Sequence, residues 1–219
     1  MPPSQPSHAG PPGNIRDTLF GDLPLSEWSQ DKPEAEPWTW FAEARAARDR
    51  GDEAGAVHAL ERVLGARGLE ARHYLQAFQG LRELGFAAPD EVAKNVLGVV
   101  VEVAMDDGLD LLAAYADRSA RYYNYSGAGV VWDRPDDSLD EPIAAVLDAG
   151  STIVAQIGPW DGDRPEPPPN GHVRLNMLTP SGLHFGQAPF EAFARDGLAG
   201  PLLQAATQLM QRLVTLSGR

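Results

Sequence analysis

The chain has 219 residues, 43% of them hydrophobic, a formal net charge of −13 and no cysteine. That charge repels phosphate backbones and anionic lipid surfaces, so nucleic-acid and membrane-surface roles are disfavoured. Without thiols there are no disulfides, no thiolate catalysis and no cysteine-ligated zinc or iron–sulfur centre.

Residues 1 to about 36 are rich in Pro, Gly and Ser, a composition that does not fold alone. The opening MPPSQPSHAGPP lacks a basic region followed by an apolar run, so no secretory leader is expected. No stretch approaches the ~18 apolar residues of a spanning helix, so no membrane insertion is expected either. A cytoplasmic location follows as the expectation. Arginine far outnumbers the two lysines, Lys32 and Lys94, which reads as a bacterial coding bias. Within the tail lies IRDTLFGDLPLSEW, where Ile15, Leu19, Phe20, Leu23, Leu25 and Trp28 are too apolar for a solvated linker. Either they pack back on their own domain, or they form a short motif that folds onto a partner protein. On the second reading Leu19, Phe20, Leu23, Leu25 and Trp28 are the partner-binding residues.

Residues 37–96 read as a helical segment. Pro37 suits a first helical turn, where its missing N–H would be unsatisfied anyway. Helices are expected to end at Gly51, at Gly65 or Gly68, and at Gly85, where glycine serves as a C-terminal cap. In the third helix Tyr74, Phe78, Leu81 and Leu84 recur at spacings of three and four and predict its apolar stripe. Trp40, Ala44, Ala47, Gly51, Ala56, Leu60 and Val63 resemble the tetratricopeptide pattern over residues 38–68, departing from it at Glu43. One such repeat cannot bury its own face. The resemblance therefore implies a helical hairpin packed on the rest of the chain more than a solenoid with a peptide groove.

After the connector APDEVAKNVLG, with Asp90 as its cap, residues 97–219 read as an α+β domain. Val99, Val101, Val103 and Met105 share one face of a first strand, because side chains alternate along a strand. Asp106-Asp107-Gly108 predicts a three-residue hairpin turn. A second strand carries Leu109, Leu111, Ala113 and Tyr115 on one face, ARYYNY is the third, and VVWD is the fourth. Ser138 and Glu141 have capping-box spacing ahead of a helix with Ile143, Val146, Leu147, Val154 and Ile157 on one stripe. WDGDRPEPPPNG is an extended loop of polyproline character. HVRLNML and LHFGQ form a hairpin around Thr179-Pro180-Ser181-Gly182. PFEAFARDG is a short helix, and the last helix buries Leu202, Ala206, Leu209, Met210 and Leu213. The order ββββαββα predicts an antiparallel sheet of about six strands with two helices on one face.

That element order resembles profilin-like sensory and adaptor domains. Residues 97–217 are also similar to a family of bacterial proteins without an assigned activity, through DDGLDLLAAYADRSARYYNYSG, IGPWD and FGQAPFEAF with ATQLMQ. That likeness implies a bacterial origin and no particular chemistry.

Few residues carry a chemical signal. Asp106, Asp107 and Asp110 cluster at a turn, but their spacing is not that of a calcium loop, and aspartate favours turns through its own backbone hydrogen bonds. His172 and His184 lie near the ends of the last two strands. As cross-strand neighbours with a turn aspartate they would make a three-ligand site. Ser126 and Ser181 precede no helix, so nucleophilic serine chemistry is not expected. The Ser126–Gly129 glycine loop leads into a strand and lacks the helix dipole of a phosphate cradle. Arg121, Tyr122, Tyr123, Asn124, Tyr125 and Trp132 form the densest aromatic and polar group, and with Arg174 they are the candidate ligand or interface surface. A non-enzymatic interaction module, an adaptor or complex subunit, is the function expected, with no cofactor and a protein partner. A small-ligand sensing domain is the alternative. A metal-dependent enzyme using Asp106, Asp110, His172 and His184 comes third.

Overall fold

Residues 15–27, 35–106 and 108–217 are described by a computed structural model of the chain. Trp28 and Asp107 lie outside them. The helical part comprises α1 (Ile15–Phe20), a short 3-10 turn (Leu25–Glu27), α2 (Trp38–Asp49), α3 (Glu53–Gly65), α4 (Ala71–Glu83) and α5 (Asp90–Ala93). Gly51, Gly68 and Gly85 all take positive φ just beyond α2, α3 and α4, as expected of helix stops. Then follow β1 (Gly98–Met105), β2 (Gly108–Tyr115), β3 (Ala120–Tyr123), β4 (Gly129–Trp132), α6 (Asp140–Val154), β5 (His172–Thr179), β6 (Gly182–Pro189), α7 (Phe190–Arg195) and α8 (Ala199–Ser217).

The six strands form one antiparallel sheet in the order β4-β3-β2-β1-β5-β6. β1 is central, with Glu102 opposite Leu111 on one side and Arg174 on the other. The meander builds one half of the sheet. α6 then carries the chain back across it so that the β5–β6 hairpin extends the other half. Met105 pairs with Gly108, so the strands pair one residue closer to the turn than expected.

Strand alternation sorts the side chains onto two faces. Val99, Val101, Leu112, Val173 and Met177 pack against Ile143, Val146 and Leu147 of α6 and Leu202, Leu209 and Leu213 of α8. These are the two helices expected on one face. The opposite face is covered as well. There Val100, Leu111, Ala113, Tyr115 and Leu178 pack under Leu19 and Phe20 of α1 and Ala71 and Leu75 of α4. A third cluster joins Leu23 and Leu25 to Trp40, Phe41, Leu60, Val63 and Ala77, so the α2–α3 hairpin reaches the sheet through α4.

Two local expectations change. The buried positions of α4 are Ala71, Leu75, Gln76, Ala77 and Gly80, rather than Tyr74, Phe78, Leu81 and Leu84. This helix is pressed between the sheet and the helical hairpin, so small residues take the closest approaches. A Cβ at Gly80 would stand 2.9 Å from Leu60 and 3.2 Å from Leu25. The Ser138–Glu141 capping box does not form, and the cap of α6 is Leu139, without a side-chain bond. Asp136 takes the Ser138 amide at 2.9 Å, an Asx turn that displaces serine from the cap position.

Candidate functional site

The residues singled out in the sequence do not converge on one place. Leu19, Phe20, Leu23 and Leu25 are all at most 3% exposed, inside the chain's own core. Arg121 and Tyr123 lie on the opposite face of β3 from Tyr122, as alternation requires. Arg121 is buried and paired with Asp133 at 2.6 Å. Tyr122 donates to Asp110 Oδ2 at 2.8 Å, and burial together with that carboxylate pushes its hydroxyl up to about 12. Asn124 closes the turn to Ala128, Trp132 is buried beneath α8, and only Tyr125 stands well exposed. Arg174 sits on β5, on the far side of β1 from β3.

The metal constellation is also dispersed. His172 lies opposite Pro189 and His184 opposite Met177, five positions further along β5, or roughly 17 Å at strand rise. They are not cross-strand neighbours. Asp110 is occupied by Tyr122 and the Tyr125 amide. Among the described residues no three His, Asp or Glu side chains are grouped to hold a metal.

A different region is organised as a site. The strap that follows α6 (residues 158–171) runs over the outer sheet face and anchors α1 to it. Arg164 pairs with Asp17 and donates to Asp22 at 2.8 Å, while its guanidinium lies 4.5 Å over the Phe20 ring. Arg16 and Arg174 both donate to the carbonyl of Pro165, and Arg174 also holds that of Glu166 at 2.6 Å. Beneath them Glu102 is fully enclosed and receives Arg16 at 2.7 Å.

Between the strap, the C-terminal half of α4, the 17–27 segment and the tip of the β5–β6 hairpin lies a groove of about 660 Å³. Its apolar floor includes Phe20, Leu75, Leu178 and Leu183. Arg82 of α4 donates to Pro180 O at 2.7 Å and holds the hairpin tip in place. At the lip Trp160 is 50% exposed yet fixed on three sides. Its amide donates to Leu183 O at 2.7 Å, its Nε1 donates to Asp163 O at 3.0 Å, and its ring meets Phe185 edge-on at 5.4 Å. Gly162 permits this tight loop, since a Cβ there would stand 2.9 Å from Trp160 Nε1.

The groove is acidic. Asp17, Asp22, Glu27, Glu83, Asp161 and Asp163 line it against only Arg82 and Arg164. Burial raises Asp22 above the ordinary carboxylate range, even with Arg164 beside it. Ser181 is part of the lining and accompanies a polar chain. Its Oγ is 2.9 Å from Thr179 Oγ1 and 3.3 Å from Nε2 of His184, a fully enclosed imidazole. Burial and Lys94 lower the His184 pKa, while the nearby carbonyls of Ile157 and Gly158 oppose this without forming a hydrogen bond of good geometry. β6, and not a helix, follows Ser181.

No family model, no curated protein and no solved structure matches this chain.

Proposed function

We propose that the chain is a non-enzymatic protein-interaction module, a cytoplasmic adaptor or complex subunit, and that its docking surface is this groove. The observation carrying the reading is Trp160, half exposed but immobilised at the lip. A rigid aromatic anchor beside an apolar floor contributes binding energy without a large ordering cost. Asp17, Asp22 and Arg164 in the walls are engaged with one another, and Arg82 with the hairpin tip, which suits a preformed surface more than a reacting centre. Among the described residues no helix is long and apolar enough to cross a membrane.

The test is recovery of a partner from the native host by the immobilised full chain, in parallel with Trp160→Ala and with Val131→Ala at the β4 edge. A protein held by the natural chain and by Val131→Ala, but lost with Trp160→Ala, supports the reading. A partner held equally by Trp160→Ala contradicts it, and so does the recovery of none.

A small-ligand sensing domain is the second reading. It is favoured by the groove's volume, within the range of small-molecule sites, and by two enclosed polar atoms, Asp22 Oδ1 and Arg164 Nη1, that have no hydrogen bond. A ligand at 100 times its dissociation constant would stabilise the fold by about 2.7 kcal/mol, readable as a thermal shift.

A further inference from the structure

Resting on the reading above, we infer that the groove's occupant is an extended, basic segment of a partner protein. It lays an apolar side chain on Trp160 and sets lysine or arginine side chains against Glu27, Asp161 and Asp163.

The charges around the groove divide into two sets. Arg164 answers Asp17 and Asp22. Glu83 accepts from the Leu25 amide and lies 3.3 Å from Arg48. Arg82 is spent on Pro180 O and Gln79. The side chains of Glu27, Asp161 and Asp163 have no hydrogen bond or ion pair among the described residues, and all three are exposed on the groove's rim. Unanswered carboxylates beside an exposed indole form the complement of a segment that carries cationic side chains next to an apolar one. The chain's net charge of −13 adds long-range attraction for the same partner.

The same charges argue against other occupants. A second copy of this chain would bring like charge to like, and a nucleic acid would be repelled. A lone metal ion is disfavoured because the described carboxylates do not group as ligands.

An extended conformation follows from the sheet edge that begins at the groove with Leu183. Thr179 and Gly182 close the hairpin, so Leu183, Phe185 and Gln187 turn their backbone groups away from β5. Trp160 already uses the first of these, through Leu183 O. By that register the amides and carbonyls of Phe185 and Gln187 fall outside the β5–β6 ladder, and among the described residues they make no backbone bond beyond the strands. A strand passing Trp160 meets a free sheet edge, the geometry of strand addition.

The experiment selects short random peptides displayed on phage against the immobilised full chain. Winners are then titrated against the natural chain, Asp161→Lys/Asp163→Lys, Trp160→Ala, and a charge-matched control, Glu141→Lys/Asp148→Lys, on α6 across the sheet. Circular dichroism confirms that each variant folds. The expected result is enrichment of peptides with net positive charge and an aromatic or large aliphatic residue. Affinity should fall about tenfold or more in the two groove variants and remain near natural in the control. Equal losses in the groove and control charge variants would reduce the effect to bulk attraction and overturn the proposal. Acidic or neutral winners that depend on Trp160 overturn the basic occupant but leave the interaction module standing. Winners indifferent to every groove substitution, or no winners at all, overturn both.

Discussion

Arg16 on α1 donates to Glu102 at the centre of β1, a 2.7 Å contact between residues 86 apart in the chain. Glu102 is fully enclosed, and Asn176 and Arg174 stand 3.2 and 3.5 Å from its other oxygen. Enclosing a carboxylate is costly, and the arginine that answers it fixes where α1 lies. Because Arg16 also holds Pro165 O, the same pair positions the strap that forms one wall of the groove. Arg16→Ala leaves the carboxylate enclosed with weaker partners. The expected loss is about 3 kcal/mol in urea unfolding, and a loss below about 1 kcal/mol would mean that α1 is not held this way.

Leu19, Phe20, Leu23 and Leu25 of the tail are core residues. Leu25 is fully buried against the helical hairpin, so Leu25→Ala should cost about 2–5 kcal/mol. Gly21 turns the chain between α1 and Leu23 with φ of +61°, and a Cβ there would stand 2.8 Å from the Arg72 carbonyl oxygen. Gly21→Ala should destabilise by more than 1 kcal/mol, through backbone strain as well as contact. Unfolding midpoints near natural for both variants would refute this packing.

Stability should fall as pH drops from about 7 to 5. Burial holds His184 and His73 below the ordinary histidine range, with Lys94 adding to it at His184 and Arg72 at His73, where Glu70 opposes. His73 Nδ1 also accepts from the Glu70 amide, a bond that a protonated Nδ1 cannot make. Below the unfolded histidine pKa, the unfolded chain binds more protons than the folded one, and the equilibrium shifts towards it. The loss levels off once the folded imidazoles protonate. His184→Gln should flatten part of this slope in urea midpoints measured across the window, with the His73 share remaining. An unchanged slope would contradict the enclosure of His184.

Trp160 should owe its fixed pose to the loop beneath it. Gly162→Ala brings a methyl group against Nε1 and should break the bond to Asp163 O. The fold should lose little stability, because both residues are exposed. Binding at the groove should weaken severalfold, and the Trp160 indole N–H should move towards a water-exposed position in nitrogen–proton spectra. Unaltered binding with a mobile indole would separate the groove's function from the pose of Trp160.

Much of the sheet was legible in the sequence because the valine-rich run GVVVEVAM, the alternation in HVRLNMLT and the Pro180–Gly182 turn are local signals. The helix ends were legible from Gly51, Gly68 and Gly85, whose positive φ suits glycine. The burial of α4 was not, since its position between two layers turns Ala77 and Gly80 inward, contrary to a single-stripe reading. The groove was hidden for a related reason. Its walls come from residues far apart in sequence, Asp22, Arg82, Trp160 and Ser181, and no local pattern links them. The available hint was Trp160, a large aromatic in a loop of Pro, Gly and Asp, where no core periodicity explains it. The aromatic run RYYNYS drew attention by density, yet alternation divides it between both faces of the sheet.

The proposed binding surface is the groove beside Trp160. Its most direct test is nitrogen–proton spectroscopy of the labelled full chain, titrated with the basic peptide that binds most tightly in the selection. Movement is expected of the Trp160 indole and amide, with the amides of Asp161, Ser181 and Phe185, while those along α6 and α8 stay in place. Shifts centred on α6 and α8, with the Trp160 signals unmoved, would contradict it.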